Sequence, residues 1–409
     1  MNTPESADLS CDNSQLSIPV SMDARQPKKT KSDTITVNSE AFRTAMQFLA
    51  FPSRCTPLLT ISISQSAIIL RCQTTDEHFY ATARLANAQT IEAIQPFTVS
   101  VDRYRLLSAA RFFEDQITFE IDSERSELKW RQGAWSAAIS VHSASSNYSE
   151  ISGTATPCDG GALARAIQAV RIFAPRSTPS DPRQPHGARV WNGAAMCGTP
   201  DVASIFESDG IPQKLDFCIP LKFLSNACHV LKSFKKCDAR IDETRVHFSN
   251  DCGLTCGWDM RESHFPTSLF AIFDNHKSLY RVRLNAFRLF ASSSLCAIEA
   301  EPTVGYFHST KVTNHSPNQV ALMSRGPAGN AIMHQTLTED PDAIELDELR
   351  SLSDLQYDLQ AIAKSAAAFT ASDCVMSLSD RALLLESHAF GRHRVLINGT
   401  ARRSVFKSI

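Results

Sequence analysis

Residues Phe97–Asp122, with the sequence FTVSVDRYRLLSAARFFEDQITFEID, carry the pattern on which the fold prediction depends. Both ends alternate between apolar and polar residues, as strands do, and the middle predicts a helix of about four turns with Ser100 as its N-cap. Apolar residues at positions i, i+3, i+4 and i+7 predict that one helix face packs on a sheet. These residues are Leu106, Ala109, Ala110 and Phe113.

Three arginines lie in the same helix, although the chain has slightly more acidic than basic residues. We predict that Arg103 and Arg111 lie on the face opposite the apolar stripe and that Arg105 lies on a flank. Such a helix packs on the protein through one face and offers positive charge to an anionic partner through the other.

The composition of the 409 residues is typical of a globular protein, with 43% hydrophobic and 21% charged residues. The length favours about two to four domains of roughly 150 residues each. A net charge of −2 excludes a protein that binds nucleic acid through overall positive charge. A locally basic surface remains compatible with it.

The sequence indicates a cytoplasmic protein that does not enter a membrane. No apolar run reaches the roughly 20 residues that cross a bilayer, and the N-terminus lacks the pattern of a signal peptide. The twelve cysteines are scattered without a Cys-x-x-Cys pair, which favours free thiols in a reducing compartment.

A repeat organises the chain from Ile35 onward. Predicted helices recur about every 60 residues, and the alternating runs between them predict antiparallel hairpins rather than a βαβ series. The predicted helix starts are Ser39, Ser100, Gly160, Pro220, Arg283 and Asp347. The segment FRTAMQFLAFPSR at 42–54 is echoed by LARAIQAVRIFAPRS at 163–177 and, more weakly, by FRLFASSSLCA at 287–297.

Two helices per repeat give three modules and an α+β fold, with the helices of each module packed on antiparallel sheets. We predict a disordered tail at 1–33, module one at 34–153, module two at 154–275, module three at 276–398 and a basic extension at 399–409.

Basic residues are concentrated on the predicted helices of modules one and two, where few acidic residues accompany them. A solvated face explains any one such helix. Recurrence on four helices favours attraction to phosphate groups without readout of bases. The candidate DNA-contacting residues on these helices are Arg103, Arg105, Arg111, Arg165, Arg171, Arg176, Lys222, Lys232, Lys235 and Lys236.

Several segments, taken in order, resemble the bacterial sliding clamp, the β subunit of DNA polymerase III. The resemblance covers about residues 34–398 and includes FTVSVDRYRLLSAAR from the opening stretch. The other segments are PSRCTPLLTISIS at 52–64, ARVWNGAAM at 188–196, LDFCIPLKFLSNACHVLK at 215–232, ESHFPTSL at 262–269, CVMSLSDRALLLES at 374–387 and HRVLIN at 393–398.

The resemblance implies a ring made by two chains joined head to tail, with helices lining the hole and sheets forming the rim. Double-stranded DNA would pass through the ring without sequence readout. DNA polymerase and the clamp loader would bind an outer pocket through short peptide motifs. By position in the family motifs, Arg54 would contact DNA as well, and Thr199, Pro220, Val395 and Ile397 would form the wall of the pocket. Plain packing remains an alternative for these pocket residues.

Two departures from the family pattern keep a second interpretation open. GTPDVASIF at 198–206 lacks the Arg of the family segment Thr-Asp-x-x-Arg-Leu, and the predicted second helix of module three, at 345–369, begins with acidic residues. The alternative is a clamp-derived interaction scaffold that no longer encircles DNA.

No motif indicates an enzyme. The sequence has no phosphate-binding loop, dinucleotide-binding, zinc-protease or nucleophile-elbow motif. Cys252 and Cys256 are four residues apart but lack a second pair of ligands at a spacing that suits zinc. We therefore expect a non-catalytic protein without cofactor or metal.

Overall fold

The computed structural model describes residues 34–51, 58–64, 67–86, 97–122, 125–143, 153–178, 180–181, 185–278, 280–299, 304–310, 319–326, 329–336, 355–369, 373–379 and 381–401. The predicted terminal tail at 1–33, residues 402–409 and Arg54 lie outside the described residues. The module boundaries stay predictions, and the module names are kept for the three ranges given above.

The α-helices of the described residues are α1 Ser39–Leu49, α2 Arg103–Ala110, α3 Gly160–Val170, α4 Leu224–Leu231, α5 Phe270–Asp274, α6 Ala286–Glu299 and α7 Leu359–Ala368. Short 3-10 turns at Arg171–Phe173, Leu221–Phe223 and Thr267–Leu269 adjoin α3, α4 and α5.

Strands make up most of the remaining described residues. In module one they are β1 Thr34–Asn38, β2 Leu58–Ile63, β3 Ala67–Gln73, β4 Phe79–Ala86, β5 Phe97–Asp102, β6 Gln116–Asp122, β7 Glu127–Gln132 and β8 Trp135–Ser143. In module two they are β9 Thr156–Cys158, β10 Ala188–Trp191, β11 Ala194–Gly198, β12 Val202–Glu207, β13 Asp216–Ile219, β14 Cys237–Ile241, β15 Arg245–Ser249 and β16 Leu254–Asp259. Beyond it are β17 Tyr280–Asn285, β18 Val304–Thr310, β19 Gln319–Gly326, β20 Gly329–Thr336, β21 Leu355–Asp358, β22 Asp373–Leu378, β23 Ala382–Ser387, β24 Arg392–Asn398 and β25 Thr400–Ala401.

The strands form three antiparallel sheets, and two of them continue from one module into the next. The first has the order β1-β6-β7-β8-β5-β2-β3-β4-β16-β15-β14-β9, so β4 of module one pairs with β16 of module two. The second has the order β13-β10-β11-β12-β24-β23-β22-β17, where β12 pairs with β24 of module three. The third has the order β20-β19-β18-β21-β25. The predicted α+β class is confirmed.

The first helix of each module begins at the same kind of cap. Asn38, Asp159 and Asn285 each precede a helix, and their side-chain oxygens accept a hydrogen bond from the backbone amide three residues later, at 3.0 Å in every case. This bond satisfies one of the amides that the first helical turn leaves unpaired. The recurrence of the cap gives the repeat a common reference point for comparing positions.

Two predicted helix starts are wrong because a strand continues further than expected. Strand β5 stays paired with β2 up to Asp102, which caps α2 in place of Ser100. Strand β17 runs through Arg283 to Asn285. In module three, Leu355–Asp358 is a strand and Asp358 caps α7. The helix start predicted at Asp347 and the neighbouring acidic residues lie outside the described residues.

Aromatic packing joins module one to module two. The rings of Phe79 on β4 and Trp258 on β16 stack across the shared sheet, with centroids 5.8 Å apart. On the helical side, Phe48 of α1 meets Phe234, just beyond α4, edge to face at 5.6 Å. All four side chains are fully buried. The two modules therefore share one continuous core.

Candidate nucleic-acid interface and partner cavity

Most of the predicted DNA-contacting cations are exposed and carry uncompensated charge. No carboxylate in the described part of the chain forms an ion pair with Arg105, Arg111, Arg165, Arg176, Lys232, Lys235 or Lys236, and all seven are exposed. Arg171 is half-buried, and its guanidinium donates a hydrogen bond to the Ser225 hydroxyl at 3.2 Å. These residues place exposed positive charge on or beside α2, α3 and α4.

The predicted position of Arg103 is wrong. Its side chain is 4% exposed, and its guanidinium donates to the Leu49 carbonyl at 3.4 Å and lies 4.7 Å from the ring centroid of Tyr104. Arg103 precedes Leu106 and Ala110 by three and seven residues, so it shares their buried face. The first residues of α4 and α7, Leu224 and Leu359, are apolar and buried in the corresponding place.

Lys222 is half-buried and forms two ion pairs, so its charge is already neutralised within the protein. Its ammonium lies 2.6 Å from a carboxylate oxygen of Asp76 and 2.5 Å from one of Glu262, with 21% of its side chain exposed. Burial alone would raise the pKa of Asp76, but hydrogen bonds from Lys222, Thr74 and the His78 backbone lower that pKa to about 2. Lys222 therefore connects module one to module two.

The helices of module three carry little positive charge. Lys364 is the one charged residue within α7, whose sequence is LQAIAKSAAA. Helix α6 exposes apolar side chains instead, with Phe287 at 74% and Leu295 at 52% exposure. Its one basic residue is Arg288. The weakly basic character expected of module three thus holds for α6 and α7.

The predicted pocket residues do not form a common accessible wall. Val395 and Ile397 on β24 are at most 1% exposed and pack in the core of module three. Pro220 is buried, and Thr199 is half-buried in the turn between β11 and β12. The prediction is wrong for the two β24 residues because side chains alternate along a strand, so their neighbours Arg394 and Leu396 face the opposite side.

A cavity of about 490 Å³ lies on that opposite, outer side of the second sheet, and we call it the outer cavity. The Trp191 and Phe270 rings meet in its wall with centroids 5.0 Å apart. Arg394 reaches it from β24, is 4% exposed, and pairs with Glu207 and, at 3.2 Å, with Asp274. Its other lining residues are Asn192, Gly193, Ala194, Ile205, Ser208, Asp209, Ile211, Pro212 and Gln213. It contains none of the four predicted pocket residues.

A second cavity, of about 670 Å³, opens between α3 and α7, and we call it the inter-helix cleft. The cleft lies at the junction of module two with module three. At the equivalent place in the junction of module one with module two, the rings of Phe48 and Phe234 pack against each other. Counted from the helix caps, Ala169 occupies the position of Phe48. The smaller side chain leaves the gap that the aromatic pair fills at the first junction.

Large exposed apolar residues lie in module one and in module three, and sequence reasoning did not single them out. Module one exposes Tyr104 at 55%, Phe112 at 81% and Trp135 at 82%. Module three exposes Phe287 and Leu295 on α6. The pair Phe112–Phe113 gave one indication, because two adjacent residues of the helix that the sequence predicts cannot both face the same core.

Comparison with known proteins rests on structure. No family model matches the chain, and no curated protein matches it in sequence. The DNA polymerase III subunit beta from Pseudomonas aeruginosa matches with a TM-score of 0.72 and 13% identity, over 90% of this chain and 100% of that one. The chain has the sliding-clamp fold. The beta subunit from Thermotoga maritima gives 0.70 and 12%, and the sliding clamp from Bacillus subtilis gives 0.70 and 14%, each over 90% of this chain and 99% of the other.

Two further observations concern the clamp-fold chain as described. None of its described helices combines the length and the apolar character needed to span a bilayer. Among the same residues, no group of three or more His, Cys, Asp or Glu side chains is placed to hold a metal ion.

Proposed function

We propose that this clamp-fold chain is a sliding clamp, a non-catalytic processivity factor that encircles double-stranded DNA and tethers a DNA polymerase in the cytoplasm. The observation that carries the proposal is the group of exposed cations beside α2, α3 and α4, which no described carboxylate neutralises. Such cations attract phosphates of any sequence and release counterions on binding. They suit a protein that holds DNA while moving along it.

The way in which successive modules join supports ring closure. Strand β4 pairs with β16 at the first junction and β12 pairs with β24 at the second. By place in the sheets, β20 is the counterpart of β4 and β12, and β8 is the counterpart of β16 and β24. Among the described residues, strand β5 pairs with β8 only at residues 141–143. We propose that β20 of one chain pairs with residues 135–140 of β8 in a second chain, and the reverse. Two such head-to-tail contacts close a ring.

The exposed apolar residues support this closure. Counted from the helix caps, Leu295 on α6 corresponds to Phe48, which is fully buried at the first junction, yet Leu295 is 52% exposed. Trp135 stands at the start of β8 and Phe112 just beyond α2. A second chain docked by the same rule brings α6 beside α2, and large exposed apolar side chains are typical of such an interface.

Partner peptides are proposed to bind the outer cavity. Its lining is mostly polar and includes the charged groups of Glu207, Asp274 and Arg394, and the Trp191 and Phe270 rings add an apolar patch. Apolar anchors set among a few fixed polar groups suit a short motif that ends in apolar residues. The polymerase and the clamp loader are the proposed partners.

Assembly is tested by sedimentation equilibrium at micromolar concentration. Wild type is expected to sediment with twice the mass of the chain. Trp135→Glu should sediment as a monomer that still melts in one cooperative transition, because it places a charge in the interface and not in a core. Ile272→Glu is the matched control, since Ile272 is 41% exposed and lies on α5 in module two, outside the proposed interface.

A clamp-derived scaffold is the second candidate, and the low charge of α6 and α7 favours it. A wild-type protein that stays monomeric across micromolar concentrations would support the scaffold and overturn the ring.

A further inference from the structure

The inter-helix cleft exists because the repeat is broken at one position. At the first junction Phe48 and Phe234 are fully buried against each other. At the second junction the counterpart of Phe234 is Phe369, because each lies ten residues after the first residue of its helix, α4 or α7. The counterpart of Phe48 at the second junction is Ala169. Phe369 therefore lines an open cleft of about 670 Å³.

The cleft has aromatic walls and one exposed aromatic side chain at its mouth. Phe206 and Phe369 form the floor, and Phe390 at the edge is 70% exposed. Gly391 fixes the turn that presents Phe390. Its φ is +140°, and a Cβ there would lie 2.5 Å from the Glu207 carbonyl oxygen, so no other residue fits without a shift. An exposed ring on a built turn is a flat platform for a second aromatic group.

The positively charged side chains at the mouth of the inter-helix cleft favour an anionic ligand. Arg165 and Lys364 stand on the facing helices, both are exposed, and none of the described lining residues is Asp or Glu. His393 in the floor adds no positive charge near neutral pH, because burial lowers its pKa to about 4 and its ring is hydrogen-bonded to the Ser204 hydroxyl at 2.9 Å. The ligand therefore combines a planar apolar part with a negative group beside it.

We propose that the inter-helix cleft binds an unpaired nucleotide of single-stranded DNA, with its base against Phe390 and its phosphate between Arg165 and Lys364. The cleft opens between two helices, and two other candidate phosphate-contacting residues, Arg171 and Arg176, follow α3 in the chain. A strand lying along those cations brings its phosphates to the mouth of the cleft. An acidic peptide with an apolar residue has similar chemistry, but it has no repeated charge to match these cations.

Base pairing decides which DNA can enter. In a duplex the bases are stacked and paired, so the aromatic platform meets only the backbone. An unpaired nucleotide pays little to leave its stack and gains the aromatic contact. The cleft is thus expected to distinguish single-stranded from double-stranded DNA, which the exposed cations alone do not do.

Fluorescence anisotropy of the full chain with fluorescein-labelled oligothymidylate tests the proposal, with a blunt hairpin duplex of equal phosphate count as reference. Phe390→Ala should weaken oligothymidylate binding about fivefold or more, the effect of one aromatic–base stack, and Phe390→Tyr should retain it. Ala169→Phe restores the residue found at the first junction and should fill the cleft and abolish the preference for single strands. Ala41→Phe, on the exposed face of α1, is the matched control.

Equal affinity for the two DNAs, or unchanged oligothymidylate binding in both Phe390→Ala and Ala169→Phe, overturns the proposal. It is equally overturned if a labelled acidic peptide with apolar residues loses binding in these variants while oligothymidylate does not. Melting temperatures near that of wild type show that the variants fold. The proposal goes beyond encirclement and does not require it, because a short linear oligonucleotide reaches the cleft of a single chain. Loss of ring closure would leave these results unchanged.

Discussion

Lys222 provides a quantitative test of how module one is held to module two. Lys222→Met removes the ammonium that bridges Asp76 and Glu262 and keeps an apolar side chain near the Phe223 ring, whose centroid lies 4.9 Å from the ammonium. The pKa of Asp76 falls from 3.8 to about 2 in the folded protein. That difference corresponds to roughly 2 kcal/mol at its full value. Lys222 is one of three hydrogen-bond donors that lower this pKa, and 38% of the Asp76 side chain is exposed, so we expect its removal to cost about 1 kcal/mol.

The pH dependence of this loss has a definite sign. Asp76 is more acidic folded than unfolded, so its stabilisation is complete above about pH 4 and disappears as the pH falls towards about 2. Urea unfolding of wild type and Lys222→Met should differ by about 1 kcal/mol at pH 7, and the difference should shrink below pH 4. Lys235→Met is the control, because Lys235 is exposed and pairs with no described carboxylate.

Two outcomes would refute this reasoning. One is an equal free energy of unfolding for wild type and Lys222→Met at pH 7, which would mean that the bridge contributes nothing. The other is a difference that stays constant between pH 7 and pH 2.5, which would mean that the loss arises from packing and not from the Asp76 carboxylate.

Three other predictions use matched substitutions. Lys235→Met should lower the slope of log K against log salt for duplex DNA by about 0.9 per chain, whereas Lys222→Met should leave it unchanged; equal slopes for the two variants would contradict the assignment of Lys235 to the DNA-facing surface. Phe48→Ala should lower the free energy of unfolding by about 3–5 kcal/mol by opening a cavity at the first junction, and Phe112→Ala, at an exposed position, should change it little. His393→Phe should weaken the loss of stability between pH 6.5 and 4, because burial lowers the folded pKa of His393 to about 4 and protonation therefore favours the unfolded chain; an unchanged pH profile would contradict this role.

The architecture could be predicted from the sequence because it depends on local patterns that recur. The caps before α1 and α3 lie next to the expected helix starts at Ser39 and Gly160, and the antiparallel hairpins follow from alternating residues and turns. Where a start was misplaced, two signals competed. Ser100 and Asp102 are both good helix caps. Strand β5 pairs with β2 through Ser100 up to Asp102, and Thr60, the partner of Ser100, lies 40 residues earlier in the chain. This pairing extends the strand, so the helix begins after Asp102.

The site was less predictable because it depends on contacts between distant residues. Lys222 meets Asp76 across 146 positions, so its pairing leaves no local trace in the sequence. Arg103 was assigned to the wrong helix face because charge was given more weight than its spacing from Leu106 and Ala110. The error on β24 has a simpler origin. Successive side chains of a strand point to opposite faces of the sheet. A shift of one residue therefore replaces Arg394, on the outer face, by Val395, on the core face.

The central claim is that the chain closes around DNA, and retention on circular DNA tests it most directly. Protein diluted until it is monomeric is mixed with nicked circular plasmid and then concentrated, so that rings close around the circle without a loader. Gel filtration in raised salt follows, before and after one restriction cut. The account predicts that wild type elutes with the circle and is released by the cut, and that Trp135→Glu elutes free in both cases. Equal retention on circular and cut DNA, or retention of Trp135→Glu like that of wild type, would contradict encirclement.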